Sequence, residues 1–297
     1  AEGGTGPGHM VTIARSSSIS GPFEPAPTNP ILTHRSTSAA VQSTGHSDLV
    51  ELADGSWALV FLATRPRGTF PRWHTNGRET FLAGVDWVED WPVIDEERYD
   101  VPLAETSFVE EFRGEELHPR WISPGTSPSS FARTSTDGLV LERGRDAPAE
   151  TAERLLAVRA EDELWSARLH ATGDVALSVR MDDAHQLLIE RLSAEVRARI
   201  VIGPLSDVVA RAEAPADAVL EIRATEFEAE RGARRGPDLL RAGLSSAEGF
   251  IELAALDGRY LSTEVAGGFT GRVIGVEALG DQVVVSRFEY ESGAAAE

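Results

Sequence analysis

Apolar and polar residues alternate with a two-residue period through most of this chain, while stretches with the 3.6-residue period of an amphipathic helix are scarce. The pattern predicts an all-β protein. Its clearest unit is DLVELADGSWALVFLAT, where two apolar runs flank Asp54-Gly55, a pair suited to a tight hairpin because both positions tolerate positive φ. Val50 and Leu52 on one arm, with Leu59 and Phe61 on the other, are the expected buried faces. Farther along, VALSVRMDD sets Val175, Leu177, Val179 and Met181 on one side, and VRARIVIG does the same with Val196, Ala198, Ile200 and Ile202. AVLEIRAT opposes Leu220, Ile222 and Ala224 to Glu221 and Arg223. Strands with one apolar and one polar face suit antiparallel sheets stacked as a sandwich. FEAERGARRGPDLLRAG is charged and lacks clean alternation, so it reads as a long loop or irregular insertion.

A chain of 297 residues is long enough for two domains. Composition shifts across WPVIDEERYDVPLAETSF, from a first part rich in Trp and His to a second dominated by Arg, Glu, Ala and Val. The boundary is placed close to residue 104, dividing 1–104 from 105–297. Sugar or metal chemistry is sought in the first part, where aromatic and imidazole side chains are dense. The net charge of −20 arises from 48 acidic against 28 basic residues, all of them Arg. Such a surface repels phosphate backbones and anionic lipid, which argues against nucleic-acid or membrane partners. The absence of Cys excludes disulfides, thiolate metal sites and a Cys nucleophile. No apolar run approaches the roughly 20 residues that span a bilayer. Because the chain starts at Ala1 without Met, it is expected to belong to something longer, with any signal peptide out of view.

The opening AEGGTGPGHM sets a carboxylate, Glu2, directly before a glycine-rich run. It suits either a loose terminus or an acid carried on a loop that can approach a ligand closely. Several stretches decide between these by resemblance. AEGGTGPGHMVTIARSSSISGPFEPAPTNPILTH, TGHSDLVELADGSWALVFLATRP and NGRETFLAGVDWVEDWPVI resemble, in order, the later blades of the five-bladed β-propeller of glycoside hydrolase family 43, in particular its β-xylosidases. From FRGEELHPRWI to YLSTEVAGGFTGRVIG and SRFEYE, the second part resembles the concanavalin-A-like β-sandwich those enzymes carry at the C-terminus. The likeness is weakest between about residues 203 and 250. It implies a partial propeller over 1–104 followed by an accessory sandwich over 105–297.

The resemblance also implies a site. Glu2 takes the place of the general acid that protonates the leaving glycosidic oxygen. Its partner base, and an Asp that tunes the acid, are expected upstream of Ala1, so these 297 residues alone are expected to be inactive. His46, in TGHSDLV, matches the His near the propeller axis beneath the sugar, and a divalent ion such as calcium beside it is left open; otherwise no cofactor is expected. Arg78, in NGRETF, matches the Arg that reaches the hydroxyls of the terminal sugar, with an ion pair to Glu79 as the alternative. Phe269, in AGGFTG, matches an aromatic of the sandwich that covers the sugar and makes the enzyme exo-acting. Trp73, beside His74 in PRWHTNG, is a further candidate sugar platform. Trp87 and Trp91 are expected in the core, and His9 in a structural or supporting place. The Ser-rich stretches offer no base for a Ser nucleophile.

The implied activity is that of an inverting exo-β-1,4-xylosidase acting on xylo-oligosaccharides, with an α-L-arabinofuranosidase acting on arabinosides as the alternative. A non-catalytic carbohydrate-binding or structural sandwich is the rival from another class. A homo-oligomer is left open, and the resemblance favours the cytoplasm.

Overall fold

The computed structural model describes residues 3–99, 104–142, 154–213, 218–227 and 234–293. The chain divides into two compact units, Ala1–Pro66 with Asn76–Ala104, and Arg67–Thr75 with Glu105–Glu297. The nine residues Arg67–Thr75 therefore belong with the second unit, although they lie within the first 104 of the sequence.

In unit 1, β1 (Ala14–Arg15) and β2 (Glu24–Pro25) form a short ladder, and β3 (Gln42–Glu51), β4 (Trp57–Thr64), β5 (Glu79–Val88) and β6 (Trp91–Asp95) form an antiparallel sheet in that order. The β3–β4 hairpin turns at Asp54-Gly55 as the sequence predicts. Gly55 takes φ +82, and the Asp54 carboxylate accepts the Ser56 N–H at 3.0 Å. Leu59 and Phe61 are buried, but Val50 and Leu52 face outward at 40% and 37% exposure. The register pairs Leu49 with Leu59, so Leu49 takes the inward position on β3. An offset of one residue exchanges the two faces of a strand. Two register shifts between Gln42 and Asp48 interrupt the strand ahead of this stretch. Trp87 also departs from expectation: it is 45% exposed and meets Trp57 edge-on, with centroids 5.5 Å apart. Trp91 carries the Arg15 guanidinium 4.0 Å above its ring.

Unit 2 holds β7 (Phe108–Glu110), β8 (Ala132–Ser135), β9 (Gly138–Glu142), β10 (Leu156–Arg159), β11 (Trp165–Thr172), β12 (Val175–Asp182), β13 (His185–Leu192) and β14 (Glu195–Ile202). It continues through β15 (Leu205–Glu213), β16 (Val219–Thr225), β17 (Leu239–Ser246), β18 (Gly249–Asp257), the single-turn helix α1 (Thr263–Ala266), β19 (Val273–Ala278) and β20 (Gln282–Ser292). One antiparallel sheet runs β10-β19-β12-β13-β14-β15, and the other runs β18-β17-β16-β11-β20-β9-β8 with β7 also paired to β20. Inward residues of both sheets share one core, Leu177, Ile189 and Val276 from the first and Leu169, Ile222 and Phe288 from the second. The alternation seen in VALSVRMDD delivers Leu177 to that core, VRARIVIG delivers Val196 and Ala198, and AVLEIRAT delivers Ile222.

One expectation fails here, and one residue of a polar face is buried, each for a physical reason. The segment read as a loop contains β17, whose Leu240 and Ala242 alternate into the core; residues 228–233 lie outside the described residues. Glu221, on the polar side of β16, is fully buried. Its strand is central, and its register partner Arg168 and its neighbour Arg223 fold over it, with nitrogens 3.4 and 2.7 Å from its Oε1.

Arg272, 2% exposed, and Asp238, 0% exposed, form a buried ion pair. Arg272 donates to both Asp238 oxygens, Nη1 at 2.5 Å and Nη2 at 3.0 Å, and also to the carbonyls of Gly258 and Leu261, each at 2.7 Å. Gly258 is the one residue type that fits beside the pair, since a Cβ there would lie 1.7 Å from Asp238 Oδ1. Removing one partner of such a pair strands the other charge, so Asp238→Ala should cost about 3–5 kcal/mol of stability. Gly258→Ala should lower the unfolding midpoint as well, and a denaturation curve superimposable on that of the parent would show that the pair tolerates being forced apart.

Candidate functional site

His46 lies on an irregular stretch of β3. Ser43 and His46 adopt left-handed backbone, φ 55 and 53, and the ladder to β4 shifts register on either side of Gly45. Such bulges bend a strand and re-aim its side chains. Gly45 is what lets the neighbouring segment approach: a Cβ there would stand 2.3 to 2.7 Å from the imidazole atoms of His9. His9 is thus pressed against the β3 backbone, buried at 4% exposure, with Nδ1 3.0 Å from the Ser43 carbonyl. The Ser43 hydroxyl in turn donates to the Thr5 carbonyl at 2.9 Å. These bonds tie the glycine-rich segment to the strand that carries His46. Glu2 itself lies outside the described residues.

His46 is exposed and Arg78, on the segment entering β5, is half-buried. Both are close enough for their charges to act on His9. Burial pushes the His9 pKa below its ordinary value of 6.5, the Ser43 carbonyl opposes that, and the charges of Arg78 and His46 add to the lowering. Glu79, the alternative partner proposed for Arg78, is held in two-point fashion by Arg65, both contacts at 2.7 Å. An exposed imidazole and a half-buried guanidinium, each within charge range of His9, are N–H donors of the kind that bind sugar hydroxyls. Among the described residues no group of three or more His, Asp and Glu is placed to hold a metal.

The remaining candidates are in unit 2. Trp73, expected as a sugar platform, is 7% exposed, bridged through its backbone to Arg67, with the Arg259 guanidinium 5.4 Å from its ring. Phe269 is 49% exposed on the loop between α1 and β19, which excludes a core role. Sequence reasoning undervalued His9. Its signal was the recurrence of Gly-His in PGHM and TGHS, two segments that pack against each other through Gly45.

Residues 1–92 match the family model described as glycosyl hydrolases family 43. The chain is 32% identical over 315 aligned positions to the non-reducing end alpha-L-arabinofuranosidase BoGH43B of Bacteroides ovatus, an alignment that covers 95% of this chain and 56% of that protein. A xylosidase/arabinosidase of Butyrivibrio fibrisolvens is 44% identical over 97 residues, 32% of this chain and 18% of that one. Among solved structures, one described as Bacteroides ovatus Xyloglucan PUL GH43B superimposes with a TM-score of 0.80 at 26% identity, covering 98% of this chain and 62% of its own. The GH43 BlXynB protein from Bacillus licheniformis gives 0.79 at 24% identity, with 98% and 61% coverage, a likeness of fold. The chain thus spans little more than half the length of the Bacteroides relative.

The environment of His9 yields a titration prediction. Because its folded pKa is depressed, His9 contributes stability that is fully present above its unfolded value of about 6.5 and is lost as pH falls through the lower folded value. Imidazole chemical shifts followed by NMR should place the His9 midpoint below 6.5, and a midpoint at or above it would mean that the ring is not packed against Gly45 as described.

Proposed function

We propose, from the match of residues 1–92 to glycosyl hydrolases family 43, that the full-length protein is an inverting, exo-acting glycosidase that removes a terminal pentose from a plant-type oligosaccharide. In this reading the chain supplies the closing part of the family's propeller in unit 1 and a concanavalin-A-like sandwich in unit 2. The supporting observation is that His46 and Arg78, both inside the matched residues, lie near enough to the buried His9 for their charges to act on it, and that the strand of His46 is tied through Ser43 to the glycine-rich segment.

Single displacement needs two carboxyl groups about 6.5–9.5 Å apart, one to protonate the leaving oxygen and one to activate water on the opposite face. Glu2 is proposed as the acid, with the base upstream in the full-length protein. As the glycosidic bond breaks, the Glu2 proton passes to the leaving oxygen, while water gives its oxygen to the anomeric carbon and a proton to the base. His46 and Arg78 donate to the hydroxyls of the reacting sugar.

The sugar itself is either β-xylose or α-L-arabinofuranose. The names of several relatives support xylosidase action, whereas the relative aligned along 95% of the chain is named an arabinofuranosidase. Initial rates of the full-length protein on an aryl β-xyloside and an aryl α-L-arabinofuranoside separate the two. Glu2→Ala should reduce kcat on the preferred substrate by about 10²–10⁴-fold, and an alanine variant as active as the parent would remove Glu2 from the mechanism. Arg78→Ala should lower kcat/KM on the same substrate, and loss of activity on neither glycoside would return Arg78 to a structural role.

A further inference from the structure

The stretch of β3 that carries His46 is longer than the strand it pairs with. From Gln42 to Gly45 the chain advances three residues where β4 advances two, from Thr64 to Leu62, and from Gly45 to Asp48 it again advances three against two. Each half thus holds one extra residue, the mark of a bulge. Each half also holds one left-handed residue, Ser43 at φ 55 in the first and His46 at φ 53 in the second. A regular strand points successive side chains to opposite faces. Here Ser43, Thr44 and Gly45 are buried in succession and His46 is exposed.

The local residues do not favour this path. Neither Ser nor His is a residue that takes positive φ without cost. Thr44 is 0% exposed, and its Oγ1 is buried without a hydrogen-bond partner, which leaves a hydroxyl unsatisfied in the interior. Contacts from outside the strand must therefore hold the double bulge.

His9 supplies them, from within the same unit. Its imidazole occupies the space that a side chain at Gly45 would need, and Gly45 is the residue that both bulges share. Its Nδ1 meets the carbonyl of Ser43, the left-handed residue of the first bulge, at 3.0 Å. A carbonyl only accepts, so Nδ1 carries the proton of that bond. His9 is itself held: its N–H donates to the Gly6 carbonyl at 3.1 Å, and two residues on, Val11 donates to Leu32 at 3.0 Å and accepts from Ile31 at 2.9 Å. A ring fixed in this way is a template for the strand laid against it.

We propose that His9 is a positioning residue for the reaction: seated on Gly45 and bonded to Ser43, it holds the twice-bulged stretch of β3 in the path that presents His46 to the terminal sugar. The proposal rests on the substrate role given to His46 above. His9 acts through His46 and not on the reacting atoms.

The test uses the full-length protein and the variants His9→Ala, His9→Asn, His46→Ala and the double alanine variant. On the preferred aryl glycoside, His9→Ala should raise KM about tenfold with kcat within about threefold. In the His46→Ala background the same change should raise KM by less than about twofold, because nothing is left for His9 to position. His9→Asn keeps an N–H donor near the place of Nδ1 and should recover part of the loss. Hydrogen exchange of the substrate-free protein follows the strand without reference to activity: amides of residues 43–47 should exchange at least about tenfold faster in His9→Ala, while β5 and β6 keep their protection. An unchanged KM in His9→Ala, or losses that multiply fully in the double variant, would overturn the positioning role. Unchanged exchange would overturn His9 as the hold on the bulges. If His9→Ala does not fold, His9→Phe, which keeps a ring over Gly45 without the donor, takes its place in both measurements under the same outcomes. A parent inactive on both glycosides, or a His46→Ala variant with the KM of the parent, would instead refute the substrate role of His46, and exchange alone would then decide whether His9 holds the bulges.

Discussion

Burying a guanidinium and a carboxylate costs far more than leaving them in water unless each finds its full set of partners, and unit 2 is organised around satisfying that demand for Arg272 and Asp238. The guanidinium engages both oxygens of the acid and two carbonyls of the turn at 258–261, so one cation fixes the start of β17, the end of β18 and the start of β19 at once. The same Arg272 gives its backbone N–H to Thr75, and Asp238 has Arg67 as a second cation 3.7 Å away. The nine residues Arg67–Thr75 form a strap within unit 2 that is therefore joined to the ion pair through both of its ends. A pair placed in this way specifies geometry more than it adds stability, since an apolar replacement of equal volume would not dictate where four separate segments meet.

Unit 1 depends on a complementary device, an absent side chain. Gly45 lets the ring of His9 lie against the backbone of β3, and with it the glycine-rich segment comes within bonding distance of Ser43. The left-handed residues at 43 and 46 spoil the ladder locally and turn His46 outward at the place where that segment arrives. Backbone irregularity of this kind costs energy and persists where the surroundings over-determine it. Here the hydrogen bonds of His9 and Ser43 supply that determination.

Much of this was legible in the sequence, and what was not has identifiable causes. The inward faces of β12, β14 and β16 follow directly from alternation, and the register shifts in the ladders of β12 and β14 come only after Arg180 and Ala198, past Leu177, Val179 and Val196. The face of β3 was misread since a bulge shifts the phase of the pattern, and nothing in the residue string marks where a phase changes. Glu221 was rightly put on the outer side of β16, yet its burial depends on arginines from its own and a neighbouring strand, which alternation cannot weigh. His46, Arg78 and Phe269 were found through motif resemblance, whereas His9 and His74 act through contacts between segments far apart in sequence. The 190 positions that separate His74 from Glu264 put their contact beyond the reach of any local pattern.

The partition of the chain bears on how such a protein can be cut and recombined. A boundary drawn near residue 104 suggests a module that could be exchanged as one continuous piece of gene. The chain, however, leaves the first unit at Pro66, contributes nine residues to the second, and returns at Asn76 before passing over for good at Ala104. A fragment starting at Glu105 would lack the acceptor for the Arg272 N–H and the second cation beside Asp238, so the second unit is not a transferable cassette. Any shuffling event, natural or engineered, must carry the strap with the sandwich or supply another nine-residue segment that ends in the same two contacts.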